Sequence, residues 1–318
     1  MFIYKIISVN VNGIRNCVTQ TLLKKFLFNE DIDIALLQEV NDNNLDFLFP
    51  QYDYVSNVGE KLRGTAIIYR KQLVPTEIEQ SPCGRITSLT LNKIRIINIY
   101  APSGSNKKSE RNLFFTHDLL YYLRHTHLPT LLAGDFNCVL EGKDQSSTPS
   151  NFCKSLFNVC KELNLTDAWR YVHPNEVEFS FFRSSSASRL DRFYVSSHLV
   201  QHLKSSEMVP VPFSDHCIVT LSIQSPERLC SLPYGRGTWK LNSSLLHDPN
   251  VIKELETLYK SLKKSQSQCQ SRMEWWSKRV KPRIKSFFVR TGVQKSKEFN
   301  DTYEFLTTFF FPVTKLFK

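Results

Sequence analysis

Six segments of the chain place polar, chemically capable side chains where an apolar run stops. Ile6-Ile7-Ser8-Val9 runs into Asn10, with Asn12-Gly13 behind it, and Ile34–Leu37 runs into Gln38-Glu39. Ile97-Asn98-Ile99 runs into Tyr100-Ala101-Pro102, and Leu131–Gly134 into Asp135-Phe136-Asn137. Leu190 precedes Asp191, and Phe213-Ser214 leads into Asp215-His216. Carboxylates with carbonyl-type partners suit a hard divalent cation such as Mg²⁺ or Mn²⁺. A carboxylate beside an asparagine can hold and deprotonate a water, and a histidine beside a carboxylate is fixed in tautomer near a developing charge. Phosphoester hydrolysis uses these parts: a cation on the phosphoryl oxygen, an oriented water and donors around the phosphorus. Taken singly, each segment has an ordinary structural reading. Gly-Asp-Phe-Asn is a turn, Ser-Asp-His a cap, and Glu39 the outer end of a strand. Their joint occurrence in one order carries the argument.

The elements that must position these groups are short. Period-2 and β-branched runs predict strands at Ile3–Val9, Ile32–Gln38, Thr65–Tyr69, Ile86–Leu91, Ile94–Tyr100, Thr130–Ala133, Leu190–Val195 and Cys217–Ile223. Helical spacing appears over Thr21–Asn29, Ser109–His125 and Ser150–Leu163. Only Asn92-Lys93 separate two of the strands, a hairpin signal. Hairpins mixed with strand–helix units predict a layered α/β fold with mixed sheets, and ligand sites gather at strand ends in such folds. Lys107, Lys108 and Arg111 open a predicted helix, where cations oppose the dipole, so a phosphate contact is the better reading of them.

Charge divides the 318 residues unevenly. Residues 1–224 carry 23 basic and 22 acidic side chains, whereas 225–318 carry 18 and 8, so a net +10 of the total +11 lies in the last third. The domain expectation is a folded body over 1–224, a Pro- and Gly-bearing linker over 225–249, and a basic, partly helical extension over 250–318. Within that extension Asn250–Ser265 and Met273–Val289 read as helices, with Pro282 ending or kinking the second. A cationic extension of this kind gains affinity for a phosphate backbone by counterion release. No run of 18 apolar residues occurs, and the start MFIYKIISVN reads as a strand, so neither a membrane span nor a secretory leader is expected. The eight cysteines show no CxxC pair or zinc spacing, which favours reduced thiols and a nuclear or cytoplasmic location.

The ordered motifs Ser8–Gly13, Leu37–Glu39, Asn98–Pro102, Gly134–Asn137, Ser188–Arg192 and Ser214–His216 resemble the exonuclease–endonuclease–phosphatase superfamily. Within it they are most similar to the endonuclease domain of vertebrate LINE-type, non-LTR retrotransposon open reading frame 2 proteins. Gly237–Asn242 and Trp275-Trp276 with the basic run to Arg290 share that likeness, and the chain would then stop before the reverse transcriptase. The resemblance implies a four-layer α/β sandwich, two mixed β-sheets face to face with helices outside. It implies Asn10, Glu39 and Asp215 on the metal side, with Mg²⁺ (or Mn²⁺) as cofactor. Asp135 and Asn137 would activate and orient water, Tyr100 would contact the scissile phosphate, and Asp191 would buttress His216. Asn12, Ser103, Ser180 and Arg189 fall on the substrate-binding side, with Ser184–Ser188 at the tip of a DNA-contacting loop.

Two positions depart from the family pattern. Ser103 stands where Asn is usual, and Asn12 where repair-type enzymes carry Asp, which weighs against abasic-site repair. The implied function is a Mg²⁺-dependent endonuclease that nicks double-stranded DNA and leaves a 3′-hydroxyl to prime reverse transcription. The rivals are an abasic-site or exonuclease III-like repair nuclease, a small-phosphoester hydrolase, and an inactive remnant that only binds nucleic acid.

Overall fold

Alternation along the strands decides the layering. In β1 (Phe2–Asn10), Tyr4 and Ile6 face one side while Ile7 and Val9 face the other, and all four are buried. β2 (Ile34–Gln38) repeats the pattern with Ile34 and Leu36 against Ala35 and Leu37. A strand apolar on both faces must be covered on both, and the computed structural model shows how. It describes residues 2–59, 63–124, 127–146, 152–183, 186–225, 241, 243–269 and 271–310, giving backbone alone at 2, 225, 243–244, 299–300 and 302–310. The expected Ser184–Ser188 tip lies partly outside the described residues, as do most of the 225–249 linker and the chain beyond 310.

The chain divides into two compact units, Met1–Leu232 and Pro233–Phe317. The first holds two mixed sheets. One runs β13 (Leu203–Ser205), β15 (Ile218–Ser225), β1, β2, β4 (Gly64–Arg70) and β3 (Tyr52–Val58), with β14 (Met208–Val209) also on β15. The other runs β5 (Thr76–Gln80), β6 (Ile86–Leu91), β7 (Ile94–Tyr100), β8 (Thr130–Asp135), β12 (Asp191–Ser196) and β9 (Leu165–Asp167). Ile6, Leu36, Ile67, Leu89, Ile96 and Leu131 belong to the apolar layer between them. The helix Cys17–Asn29, capped by the Asn16 side chain on the Val18 N–H at 2.9 Å, covers the first sheet with Leu23, Phe26 and Leu27. Helical residues 108–124 and the helix Lys154–Glu162 cover the second with Phe114, Phe115, Leu119 and Leu156. This is the four-layer α/β sandwich the sequence led us to expect.

Both sheets end their central strands at one edge. β1 pairs with β2 in parallel so that Asn10 lies opposite Gln38, and β7 with β8 so that Tyr100 lies opposite Asp135. β12 pairs antiparallel with β8, placing Asp191 across from Asp135. A buried amide clamps the two sheets just behind that edge. Asn98 Nδ2 donates to the carbonyls of Leu37 and Ala66, each at 2.8 Å, and its Oδ1 accepts from Gln38 at 2.7 Å. Gly134, at φ 140°, is required where β8 comes close to β7: a Cβ there would lie 2.0 Å from the Ile99 carbonyl oxygen. A two-stranded hairpin, β10 (Phe181–Arg183) and β11 (Ser186–Ser188), joins the same edge through the bridge Phe181–His216.

The second unit is helical, with the helix Pro249–Lys263 packing Val251 into a small core of Leu245, Phe287 and Phe288. The expectation that Pro282 ends or kinks the second helix meets a π-helical turn there. Pro282 does not end a helix: the chain passes from the π-helical turn Trp275–Val280 into the helix Lys281–Phe310. The π-helical turn ends two residues before Pro282, an irregularity of the backbone ladder of the kind that goes with a kink. Among the described residues no helix is long and apolar enough to cross a membrane, and the seven described cysteines are free thiols.

Candidate active site

Left-handed backbone marks the strand ends. Asn12 (φ 46°), Glu39 (φ 54°) and Asn137 (φ 50°) all lie in a region that L-residues rarely occupy, which Asn tolerates and Glu does not favour. Such strain persists only where surrounding contacts over-determine it, and it gathers at functional sites. These residues line a cavity of about 370 Å³ together with Asn10, Asp135, Asp215 and His216.

Asp135 is almost fully buried and held from three directions. The Asn137 backbone N–H donates to one carboxylate oxygen at 2.9 Å. The side-chain amides of Asn137 and Asn10 donate to the other at 3.1 and 3.0 Å. Burial and the nearby Asp191 carboxylate raise its acid, opposed by His216 and these amides, and the balance pushes it up to about 6. A carboxylate poised there is a competent general base.

Across the cavity, His216 Nδ1 lies 2.8 Å from the Asp191 carboxylate. Burial alone would lower the imidazole, but Asp191 by charge and hydrogen bond, with Asp135 and Asp215, pushes it up to about 10. The Asp191 carboxylate thus favours the imidazolium, in which both ring nitrogens carry protons. The Ser180 hydroxyl fixes Asp191 in turn, donating to it at 2.7 Å and accepting from the Leu190 and Asp191 N–H groups. Ser214 ties the loop down, its hydroxyl donating to the Asn10 carbonyl at 2.6 Å and accepting from the His216 N–H.

Glu39 Oε1 accepts from Asn10 at 3.1 Å and from the Tyr100 hydroxyl at 2.9 Å. Among the described residues its Oε2 has only the Arg63 guanidinium at 3.7 Å. Glu39 and exposed Asp215 are thus hard oxygen donors on the cavity wall, and this donor set fits Mg²⁺ or Mn²⁺. Asp135, Asp191 and His216 also bring potential ligand atoms within 4.8 Å of one another. We do not read that cluster as a metal centre, because His216 Nδ1 is already hydrogen-bonded to Asp191 and the amides of Asn10 and Asn137 occupy Asp135.

The sequence-expected residues therefore divide. Asn10, Asn12, Glu39, Ser103, Asp135, Asn137, Asp215 and His216 come together on the cavity. Asn10 differs from its expected role, since its amide bridges Glu39 and Asp135 while its Oδ1 accepts from the Asn12 N–H at 3.0 Å. Tyr100 sits one layer behind, 1% exposed, its hydroxyl engaged by Glu39 and by Arg63 at 3.1 Å, so it positions Glu39. Two expected substrate contacts are corrected. Ser180 is buried against Asp191, and Arg189 is buried in ion pairs with Asp144 and Asp167 at 2.8 and 2.7 Å. Of the three helix-opening cations, Lys107 pairs with Glu110 at 2.6 Å and Arg111 holds the Pro102 carbonyl at 2.8 Å, leaving Lys108 exposed.

The charged cavity residue Arg183 went unnoticed in the sequence, as did Gly104 and Ser105. Arg183 is exposed on the cavity wall two residues beyond Phe181, and no ion pair reaches it among the described residues. The period of 2 along Phe179-Ser180-Phe181-Phe182-Arg183 was the available signal: Ser180 turns inward, so Phe181 and Arg183 share the other face. Arg183→Ala is expected to raise KM roughly tenfold, with kcat changed less than about threefold, as for a positioning contact to phosphate. Steady-state kinetics on a short duplex would check this, and a loss confined to kcat would contradict it.

The model described as the Endonuclease/Exonuclease/phosphatase family matches residues 7–216. The chain is 26% identical over 296 residues to the Xenopus laevis "Transposon TX1 uncharacterized 149 kDa protein", a match covering 85% of this chain and 21% of that protein. It is 26% identical over 251 residues to the Bacillus subtilis exodeoxyribonuclease, covering 69% of this chain and 99% of that enzyme. Among solved structures it is similar to an AP endonuclease from Archaeoglobus fulgidus, with a TM-score of 0.60 and 22% identity over 70% of this chain and all of that one. It is similar also to the 3′ phosphatase NExo from Neisseria bound to a product DNA hairpin, with a TM-score of 0.62 and 22% identity over the same shares.

Proposed function

The chain belongs to the endonuclease/exonuclease/phosphatase family, a family of phosphoester-cleaving enzymes, and from that premise we propose that it is a metal-dependent endonuclease acting on double-stranded DNA. The observation that carries the reading is a buried carboxylate, Asp135, and a buried imidazole, His216 held by Asp191, lining one cavity. Asp135 takes a proton from a water oriented by Asn137. His216, kept charged and fixed by Asp191, donates from Nε2 to a phosphoryl oxygen as negative charge builds there. A divalent cation held by Glu39 and Asp215 would supply charge neutralisation at the phosphate and the leaving oxygen. Attack of that water on phosphorus with breakage of the P–O3′ bond, the leaving 3′-oxygen taking its proton from solvent, would leave a 3′-hydroxyl primer and a 5′-phosphate. The transposon-related reading is favoured because that match spans 85% of the chain, more than the first unit alone contains.

Supercoiled plasmid tests the proposal. With Mg²⁺ the protein should convert it to open circles, and EDTA should abolish the conversion. Plasmid that remains supercoiled with Mg²⁺ rejects the nuclease reading. Preferential incision of an abasic duplex over an intact one would move the assignment to repair.

The pH dependence follows from the two shifts. Below about 6 Asp135 is protonated and cannot accept a proton, so kcat should fall about tenfold per pH unit. Above about 10 His216 loses its charge and the rate falls again. A plateau between these limits is expected in single-turnover nicking, with the two values belonging to the coupled pair. A rate that climbs steadily from pH 5 to 9 would contradict the assignment of Asp135 as base.

A further inference from the structure

The second unit presents a charged face that the catalytic reading leaves unused. From 272 to 297 the chain carries nine basic residues and one acidic residue. They are not equivalent. Lys278 pairs with Glu274 at 3.0 Å, and Lys295 with Asp248 at 3.0 Å. Arg279, Arg283, Arg290 and Lys297 are exposed, and among the described residues no ion pair reaches them. Arg283, Arg290 and Lys297 are spaced by seven within the helix Lys281–Phe310, a step that returns to within about 20° of the same face. Arg279 stands one turn earlier, beside Trp276, which is 46% exposed. The stripe extends about 27 Å along the helix axis.

The helix is anchored, so the stripe has a fixed direction. Ile284, Phe287 and Phe288 pack with Leu245 and Val251 on a neighbouring face, and the Trp275 indole N–H donates to the Leu262 carbonyl at 3.0 Å. Three of the four cations are arginines, whose planar fork binds phosphate oxygens bidentately. Unpaired like charges held in a row repel one another and destabilise the unit unless a polyanion covers them. We infer that Arg279, Arg283, Arg290 and Lys297 form a docking face for the phosphodiester backbone of duplex DNA, separate from the catalytic cavity. The choice of DNA as polyanion rests on the nuclease reading. The face itself does not.

The test uses the full chain, in EDTA, binding a fluorescent 30-base-pair duplex of arbitrary sequence by anisotropy from 50 to 200 mM salt. Against the wild type, R279Q/R283Q/R290Q should lower the slope of log affinity on log salt by about 2.7, and weaken binding about 10²-fold near 0.1 M. Arg290→Gln alone should lower it by about 0.9, which keeps the test valid if the triple variant loses helical circular dichroism. R279K/R283K/R290K should retain the wild-type slope. Glutamine variants with unchanged slope and affinity on both this duplex and an RNA duplex overturn the docking face, and variants that lose binding to the RNA duplex alone overturn the choice of DNA. Mg²⁺-dependent nicking at saturating protein is read separately, so a chain that binds by this face but does not cut rejects the nuclease reading alone.

Discussion

Replacing Asp135 by Asn lowers the single-turnover rate by about 10³-fold or more, while the protein becomes more stable in the absence of metal. The rate loss is that of removing a general base from the transition state. The stability gain follows from the same environment. Burial raises the Asp135 acid to about 6 from an ordinary value of 3.8, so the fold disfavours the carboxylate above that pH. The folded state binds the proton more tightly than the unfolded chain, and stability is lost as pH rises between those values, by at most about 3 kcal/mol at neutrality. A neutral amide escapes that cost, although it sets one N–H against the amides of Asn10 or Asn137. Nicking rates and thermal melting in EDTA measure the two effects together. A variant within tenfold of wild-type rate removes Asp135 from the base role. A melting temperature that falls by several degrees shows instead that its three hydrogen bonds outweigh its desolvation.

The largest expected loss of stability is at Asp144, which touches no part of the cavity. It is fully buried and receives Arg189 at 2.8 Å, Arg170 at 3.0 Å and Arg192 at 3.2 Å. Burial opposes its ionisation, yet the Arg192 and Arg189 guanidiniums hold its carboxyl well below the usual carboxylate range. Its contribution is therefore complete above the unfolded value near 4 and is lost only as pH falls through its depressed folded value. Asp144→Ala leaves two buried guanidiniums with Asp167 as their remaining carboxylate, and should cost about 3–5 kcal/mol in urea unfolding. Activity should fall as well. Arg192 reaches the Cys138 carbonyl at 2.9 Å, next to Asn137, and Arg189 precedes the strand of Asp191 by two residues. A loss below about 1 kcal/mol would show that Asp167 alone suffices for both arginines.

Much of the frame was legible because burial writes itself into local pattern. Ile86–Leu91 and Ile94–Tyr100 match their strands at both ends, and the other central strands agree within a few residues. What escaped notice lay where burial leaves no pattern. Thr76–Gln80 is exposed at every position on a sheet edge, and Tyr52–Val58 is mostly half-buried on another. The hairpin Phe181–Ser188 has strands of only three residues, so its alternation carries little weight beside the longer runs. The π-helical turn Phe114–Leu119 has a side-chain pattern close to that of an α-helix.

The sequence by itself determined which side chains could do chemistry, since Asn10, Glu39 and Asp135 stand where apolar strands end, and Asp215 and His216 just before the last strand begins. Tertiary structure alone decided how they divide the work. Asn10 and Asp135 are 125 positions apart, and their hydrogen bond exists only because the two sheets stack with these strand ends at one edge. The same closure withdrew Ser180, Arg189 and Tyr100 from substrate and gave them to Asp191, Asp144 and Glu39, and it brought Arg183 to the cavity instead. The physical reason is one of range. Burial and strand direction are properties of a few consecutive residues, whereas a buried polar group takes whichever partner the packed layers bring within about 3 Å, and that is fixed only when the sheets meet.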